Sequence, residues 1–229
     1  MNKVASSSNS RPFSFFHALV VAVAASGIVS LGFSAQQPAK PTQVVPTQGA
    51  VAEKGAPAVF EIDDVHSMAL FRVQHLGAGR FWGLFNDVGG TVQYTPEKFL
   101  SMNITIQTGS VETHSEQLNR HLKSPDFFNA VEFPAMTFVS SGSKLLASGR
   151  FEVVGDLTIR GVTKKVTVPV ECSAISKMGG ATRAGFEATF ELKRSDFGVS
   201  YGVEKKMIGD ETRVVVSLEG IEAGSVAKP

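Results

Sequence analysis

A chain of 229 residues with 22 Lys and Arg against 21 Asp and Glu has the length for one or two domains and no strong field of either sign. The basic pairs Lys164-Lys165 and Lys205-Lys206 carry no interleaved aromatics, which argues against a nucleic-acid partner. Seventeen Phe against two Tyr and one Trp point to an interior for dry packing or apolar ligands, and the single Cys172 has no partner for an intramolecular disulfide, so stability rests on the core.

Lys3 and Arg11 are the only charges before Lys40, and from Phe13 to Phe33 the chain is almost wholly apolar or small. The positive flank, the apolar centre and the small exit at Gly32, Ser34 and Ala35 predict an export signal over residues 1–35. The competing reading is a retained membrane anchor, because the apolar run of about 21 residues matches the ~20 needed to span a bilayer. No cysteine follows the segment, so it is not a lipoprotein anchor. Loss of residues 1–35 leaves 20 Lys and Arg against 21 acids, a balance that does not by itself draw the chain to an anionic surface. Residues 36–57, with Pro38, Pro41, Pro46 and Pro57 and no apolar periodicity, read as an extended, disordered tether.

From Val59 the pattern shifts to short alternating runs. Expected strands are Val59 to Asp63, Met68 to His75, Arg80 to Val88, Thr91 to Tyr94 after a break at Gly89-Gly90, and Phe99 to Gln107. Glu132 to Ser140, Leu145 to Val154, Leu157 to Ile159, Val166 to Ile175, Ala184 to Arg194 and Arg213 to Glu222 follow. Turn residues at intervals of about ten predict one all-β antiparallel sandwich or barrel over residues 58–224, with a tail at 225–229. One segment has helical spacing: Leu118 and Leu122 share a face, His114 or Ser115 offers a cap, and Pro125 stops the helix. Cys172 falls in an expected strand and is read as buried and inert.

The motifs come in a recognisable order. Ile62-Asp63 precedes His66-Ser67, and the following strand ends in His75-Leu76-Gly77. Gly83-Leu84-Phe85 leads into Gly90-Thr91-Val92. His121-Leu122-Lys123-Ser124 runs into Asp126-Phe127-Phe128, then Phe133-Pro134 and Thr137-Phe138. Gly155-Asp156-Leu157-Thr158-Ile159-Arg160-Gly161-Val162-Thr163-Lys164, Arg194-Ser195-Asp196-Phe197-Gly198 and Ile208-Gly209-Asp210 complete the series. Each is weak alone, but together, from Phe60 to Ala223, they resemble the YceI-like family of bacterial lipid-binding proteins. The resemblance implies an extended lipocalin-like, eight-stranded antiparallel barrel with one short helix. It also implies export, often a dimer, and a tunnel for a long amphiphile such as a polyprenyl phosphate or an isoprenoid quinone, with no further cofactor required. The chain departs from the family pattern at Asn119, where an acid is usual, at Trp82, where a polar residue is usual, and at Lys165, where proline is common.

Strand periodicity then assigns faces. Ala69, Phe71, Val73 and His75 share one face of their strand, and Phe81, Gly83 and Phe85 share one face of the next. These are expected to face inward. Phe127, Phe128, Phe133 and Phe138 are expected to add aromatic wall near the helix, with Phe190 and Phe197 late in the chain. The expected polar mouth is His75, Asn119, His121, Ser124 and Arg194, while His66 is assigned to a turn and Arg160 to a structural role. Leu70, Trp82 and Leu84 are expected to point outward as a surface for a second copy or a membrane. An exported enzyme is the alternative, but the chain has no nucleophile elbow and no Gly-rich phosphate loop. The histidines after the export segment lack short metal-binding spacing, so no metal site is expected.

Overall fold

The computed structural model describes residues 56–225. The expected export segment and most of the expected tether lie outside the described residues. The alternating runs form one continuous antiparallel sheet that closes on itself. β1 (Ala58–Ile62) and β2 (Met68–His75) are two halves of one bent stave, joined by a 3-10 turn at Asp64–His66. Asp63 makes the bend: its carboxylate accepts from the Val65 amide at 3.2 Å and pairs with His66 Nδ1 at 2.9 Å. β3 (Gly79–Phe85) with β4 (Val88–Thr95), and β5 (Phe99–Gln107) with the short β6 (Val111–Glu112), make two further bent staves. β7 (Ala135–Ala147), β8 (Arg150–Ile159), β9 (Val162–Cys172), β11 (Ala181–Lys193) and β12 (Ile208–Glu222) are single staves, with β10 (Ser176–Met178) a short arm on β11. β11 pairs with β12 from Arg183 to Lys193 and closes the ring. The result is the expected eight-stranded antiparallel barrel with one helix.

Local chemistry explains where the strands turn, and where the expected boundaries fail. Arg160 and Gly161 both have positive φ, 49° and 72°, and form the two-residue β8–β9 turn between Ile159 and Val162. This mirror-image turn matches the twist of a hairpin. The break expected at Gly89-Gly90 lies instead at Asn86-Asp87, and β4 runs through both glycines. Gly90 is there for close approach, since a Cβ at its position would lie 2.1 Å from the Asn103 carbonyl oxygen. The expected strand Leu145 to Val154 is cut by a hairpin at Ser148-Gly149, and Gly155-Asp156 lies inside β8 rather than in a turn. β7 begins at Ala135, after Pro134, and not at Glu132.

The two ends of the barrel differ. At the end where β1 starts and β12 finishes, Phe60, Val92, Tyr94, Leu100, Phe151 and Phe186 are buried. Tyr94 stands edge-on to Phe151 and Phe186, with centroids 6.2 and 5.5 Å away, and Phe60 meets Phe186 at 6.0 Å. This aromatic packing fills the barrel. At the other end the ladders part. β3 meets β6 only at Leu84 and Phe85, which leaves residues 79–83 of β3 without a ladder on that edge. The gap is covered by α1 (Glu116–Lys123), which Ser115 caps by accepting from the Leu118 amide at 3.4 Å, and by the chain that follows the helix. A second parting, between β9 and β11 beyond their pairing at residues 170–172 and 186–188, is flanked by the segment Arg194–Val199.

Candidate functional site

The inner face of the open end encloses a cavity of about 600 Å³. Strands of 13 and 15 residues bound it. At roughly 3.3 Å per residue and a tilt near 40°, such strands make a barrel roughly 35 Å long. The packed aromatic end stops the cavity, so the space is a blind tunnel with its mouth beside His75, His121 and Tyr201.

Register explains the lining. Ala69, Phe71 and Val73 on β2 face inward opposite Val216, Val214 and Thr212 on β12, and Phe81 and Phe85 continue the same face on β3. Of the residues expected in the wall, Ala69, Phe71, Val73, Phe81, Phe85, Phe127, Phe128, Phe138 and Phe197 border the cavity. Phe133 does not. Its ring packs on the β8–β9 turn, where a Cβ added at Gly161 would meet Phe133 Cε1 at 2.7 Å. Phe133 lies beyond Pro134 in an irregular segment, where strand alternation does not set its direction. Phe71, Phe85 and Phe128 form one aromatic group, with centroids 5.7, 6.4 and 5.1 Å apart in the pairs 71–85, 71–128 and 85–128.

The expected polar mouth divides. His75 and His121 border the cavity. His121 Nε2 pairs with Asp126 Oδ2 at 2.9 Å, and its ring packs edge-on against Phe127 and Tyr201 at 5.0 and 5.1 Å. Asn119 is not at the mouth. It is buried at the base of the helix, where its amide donates to Glu112 Oε2 at 2.8 Å and its carbonyl accepts from Thr113 Oγ1 at 2.7 Å. This amide contact, followed by the His114 backbone amide, holds the Glu112 carboxyl below its ordinary pKa. Ser124 is not at the mouth either. Its hydroxyl donates to the His121 carbonyl at 2.7 Å and closes the helix C-terminus.

Arg194 borders the cavity, but its donors point elsewhere. Nε donates to the Gly209 carbonyl at 2.7 Å, Nη1 to Val199 at 2.8 Å, and Nη2 to Tyr201 and Ile208 at 2.9 and 3.0 Å. The expected headgroup contact is therefore a clamp that folds residues 199–209 around a guanidinium. Burial pulls the Arg194 pKa down from its ordinary value, and nearby Asp210 opposes the shift. Asp210 is itself held by the Ser195 amide and hydroxyl at 2.9 and 2.8 Å. Arg160 adds a second tie, donating to the Phe127 and Gly198 carbonyls at 2.7 and 3.2 Å.

The periodic pattern also marked wall residues that were not singled out. Met102, Ile104 and Ile106 on β5, Val168 and Val170 on β9, and Val214, Val216 and Leu218 on β12 all border the cavity. The alternation in Phe99 to Gln107 already carried that signal. Tyr201 carried none, because it reaches the mouth only through the Arg194 clamp. On the outer face, Leu70 lies opposite Leu84 and Val215, although Leu70 also borders the cavity. Trp82 is 45% exposed, with the Arg72 guanidinium 5.7 Å from its ring.

Two other clusters lie outside the cavity wall. Asp63, His66 and Glu219 bring possible metal-ligating atoms within 4.8 Å of one another. Arg183 donates to both carboxylates, so a guanidinium already supplies the positive charge there. The Asp63 carboxyl is held below its ordinary pKa, first by His66 and then by Arg183, against the opposing effect of burial. Near the packed end Cys172 meets Tyr94. Burial pushes the thiol up to about 11 and the Tyr94 phenol up to about 12.

The model of the YceI-like domain matches residues 60–220. The chain is 35% identical over 174 residues to the UPF0312 protein YE1254 of Yersinia enterocolitica, covering 72% of this chain and 88% of that protein. It is 33% identical over 170 residues to Protein YceI of Salmonella arizonae, covering 72% and 87%. Among solved structures, Burkholderia cenocepacia BcnA superposes with a TM-score of 0.61 at 27% identity, covering 69% of this chain and 98% of its own. A polyisoprenoid binding domain from Saccharophagus degradans shares the fold, with a TM-score of 0.58 at 16% identity, covering 72% and 99%. The ordered motifs, the closed barrel and these matches agree, and the chain belongs to the YceI-like domain family.

Proposed function

We propose that the barrel holds one long isoprenoid amphiphile, a polyprenyl phosphate or an isoprenoid quinone, with its tail in the tunnel and its head at the mouth. The carrying observation is the cavity itself. Its volume of about 600 Å³ lies within the roughly 300–1,000 Å³ of ligand sites, its walls are almost entirely aliphatic and phenyl, and one end is packed shut. A hydrocarbon tail buried there gains about 0.8 kcal/mol per methylene, so affinity does not require a charged contact. At the mouth, His75 offers an imidazole donor to a phosphate or quinone oxygen, and His121 and Tyr201 frame the opening. The family membership and the polyisoprenoid-binding name of a protein with this fold support the same ligand class.

We read the chain as a binding protein acting as carrier, buffer or sensor, rather than an enzyme. Of the polar groups beside the cavity, Arg194 is committed to four carbonyls and His121 to Asp126, which leaves His75 for the ligand head. With residues 1–35 as an export signal, the protein works in the periplasm or outside the cell, or at the inner membrane if that segment is kept. Leu70, Trp82 and Leu84 supply the surface for a second copy or a transient membrane contact. The test is mass spectrometry of lipid extracted from the purified mature protein, followed by reloading with polyprenols and quinones. Retention of a long isoprenoid is expected. A protein that neither retains nor binds any long amphiphile refutes the proposal.

A further inference from the structure

Resting on the isoprenoid reading of the cavity, we infer that Gly83 sets the bore of the tunnel by giving the Phe71 ring a place to lie against the wall. Phe71 on β2 and Gly83 on β3 are direct cross-strand partners on the inner face. A Cβ built on Gly83 would stand 2.3 Å from Phe71 Cζ, 2.7 Å from Cε1 and 3.1 Å from Cε2. The outer half of the ring therefore occupies the space that any other residue at position 83 would fill. Gly83 is not among the residues with positive φ, so the backbone does not require glycine there. What the position requires is the missing side chain.

Neighbouring rings decide where Phe71 goes if that space is taken. Phe85 and Phe128 stand 5.7 and 6.4 Å from it and 5.1 Å from each other. They block movement along the wall, so a methyl group at position 83 turns the ring into the lumen. The same pairing of ring and glycine recurs elsewhere with different consequences. At Gly155 an added Cβ meets Phe138 at 2.6 Å but also the Val139 carbonyl oxygen at 2.7 Å, so substitution there disturbs the sheet. At Gly220 the partner is Phe60, part of the packed end. Among the described residues, only at Gly83 is the obstruction confined to the tip of a rotatable ring that borders the cavity. The ligand property at stake is cross-section. A polyprenyl chain carries a methyl branch in every unit, whereas a straight alkyl chain of equal length is narrower.

The experiment compares wild type, Gly83→Ala, Phe71→Ala and the double variant. The readout is displacement of a naphthylamine dye by a C20 polyprenol and by the straight C16 alcohol that matches its main-chain length. Gly83→Ala is expected to weaken the polyprenol at least tenfold and the straight alcohol less than threefold, and the double variant to restore the polyprenol to within threefold of wild type. Equal weakening of both alcohols, unchanged polyprenol affinity or failure of the double variant to recover overturns the inference. If Gly83→Ala does not fold, Phe71→Ala decides alone: its preference for the polyprenol over the straight alcohol must rise, and an unchanged preference overturns the inference. A ligand-free readout separates this from the underlying reading. The Gly83 Hα resonances should carry a ring-current shift from Phe71 that is lost in Phe71→Ala. Wild-type protein that binds no polyprenol defeats the isoprenoid reading, whereas the absence of that ring shift defeats the role of Gly83.

Discussion

Replacing Arg194 by Lys tests whether this residue holds the mouth together or meets the ligand. The guanidinium satisfies four carbonyls, on Val199, Tyr201, Ile208 and Gly209, at 2.7 to 3.0 Å. An ammonium keeps the charge but lacks the planar fork, so it reaches one or two of the four. At least two buried carbonyls then lose their donors, at about 1–3 kcal/mol each. The desolvation cost of the buried cation remains, so nothing offsets the loss, and the expected destabilisation is about 3–4 kcal/mol. With a urea m-value of about 2 kcal/mol/M, the unfolding midpoint falls by roughly 1.5–2 M. Hydrogen exchange should accelerate first in residues 199–209, where the Met207 carbonyl also accepts from the Leu76 amide at 2.8 Å and so ties this loop to the β2–β3 hairpin. A headgroup contact makes the opposite prediction: weakened lipid binding with the midpoint nearly unchanged. A midpoint shift below about 0.5 M with unaltered exchange in residues 199–209 would refute the clamp.

Three further outcomes follow from other contacts. Cys172 has a folded-state pKa pushed up to about 11 from 9.0. The unfolded thiol therefore ionises first as pH rises, and stability is full below about pH 9 and declines toward pH 11. Solvent screening of the partly exposed thiol holds this loss to about 1 kcal/mol, and Cys172→Ala should make the fall of the urea midpoint shallower between about pH 9 and 10, below the range where Tyr94 adds its own alkaline slope; an unchanged slope there would count against it. Asn119→Asp replaces the donor to Glu112 with a second carboxylate. The variant should lose stability at pH 7 and regain much of it near pH 4, as one carboxyl takes a proton, whereas wild type has its Glu112 contact intact above that range and loses it on acidification. A midpoint deficit equal at both pH values would exclude charge repulsion as the cause. Trp82→Glu should shift the oligomeric state in sedimentation or lower vesicle binding; if both stay the same, the outer patch has neither role.

Particular residues show where sequence was sufficient. Met68 to His75 and Phe99 to Gln107 are strands with the expected ends, because each keeps one apolar face over its length and ends at a turn or polar residue. The helix is equally legible, from its Leu118–Leu122 spacing, its Ser115 cap and the stop before Pro125. The same alternation selected Ala69, Phe71, Val73, Phe81 and Phe85, all of which border the cavity, since facing inward in a closed barrel follows directly from the period of two. It failed at Phe133, which has no strand to orient it, and at Gly89-Gly90, where glycine permits close packing rather than a turn.

The polar residues were the least legible. Asn119, Ser124 and Arg194 have the chemistry of a headgroup site, but in the fold each satisfies backbone or neighbouring groups: a carboxylate at the helix base, a helix end and four loop carbonyls. Composition and local order cannot distinguish these uses, because the partner groups come from segments distant in the chain. Sequence by itself determined an antiparallel β domain, its helix and the apolar character of its inner face from local periodicity, while the ordered motifs carried the family resemblance that implied a barrel. Tertiary structure alone decided that one end is packed shut, that Tyr201 joins the mouth and that Phe71 lies over Gly83, because each depends on which staves closure brings into contact.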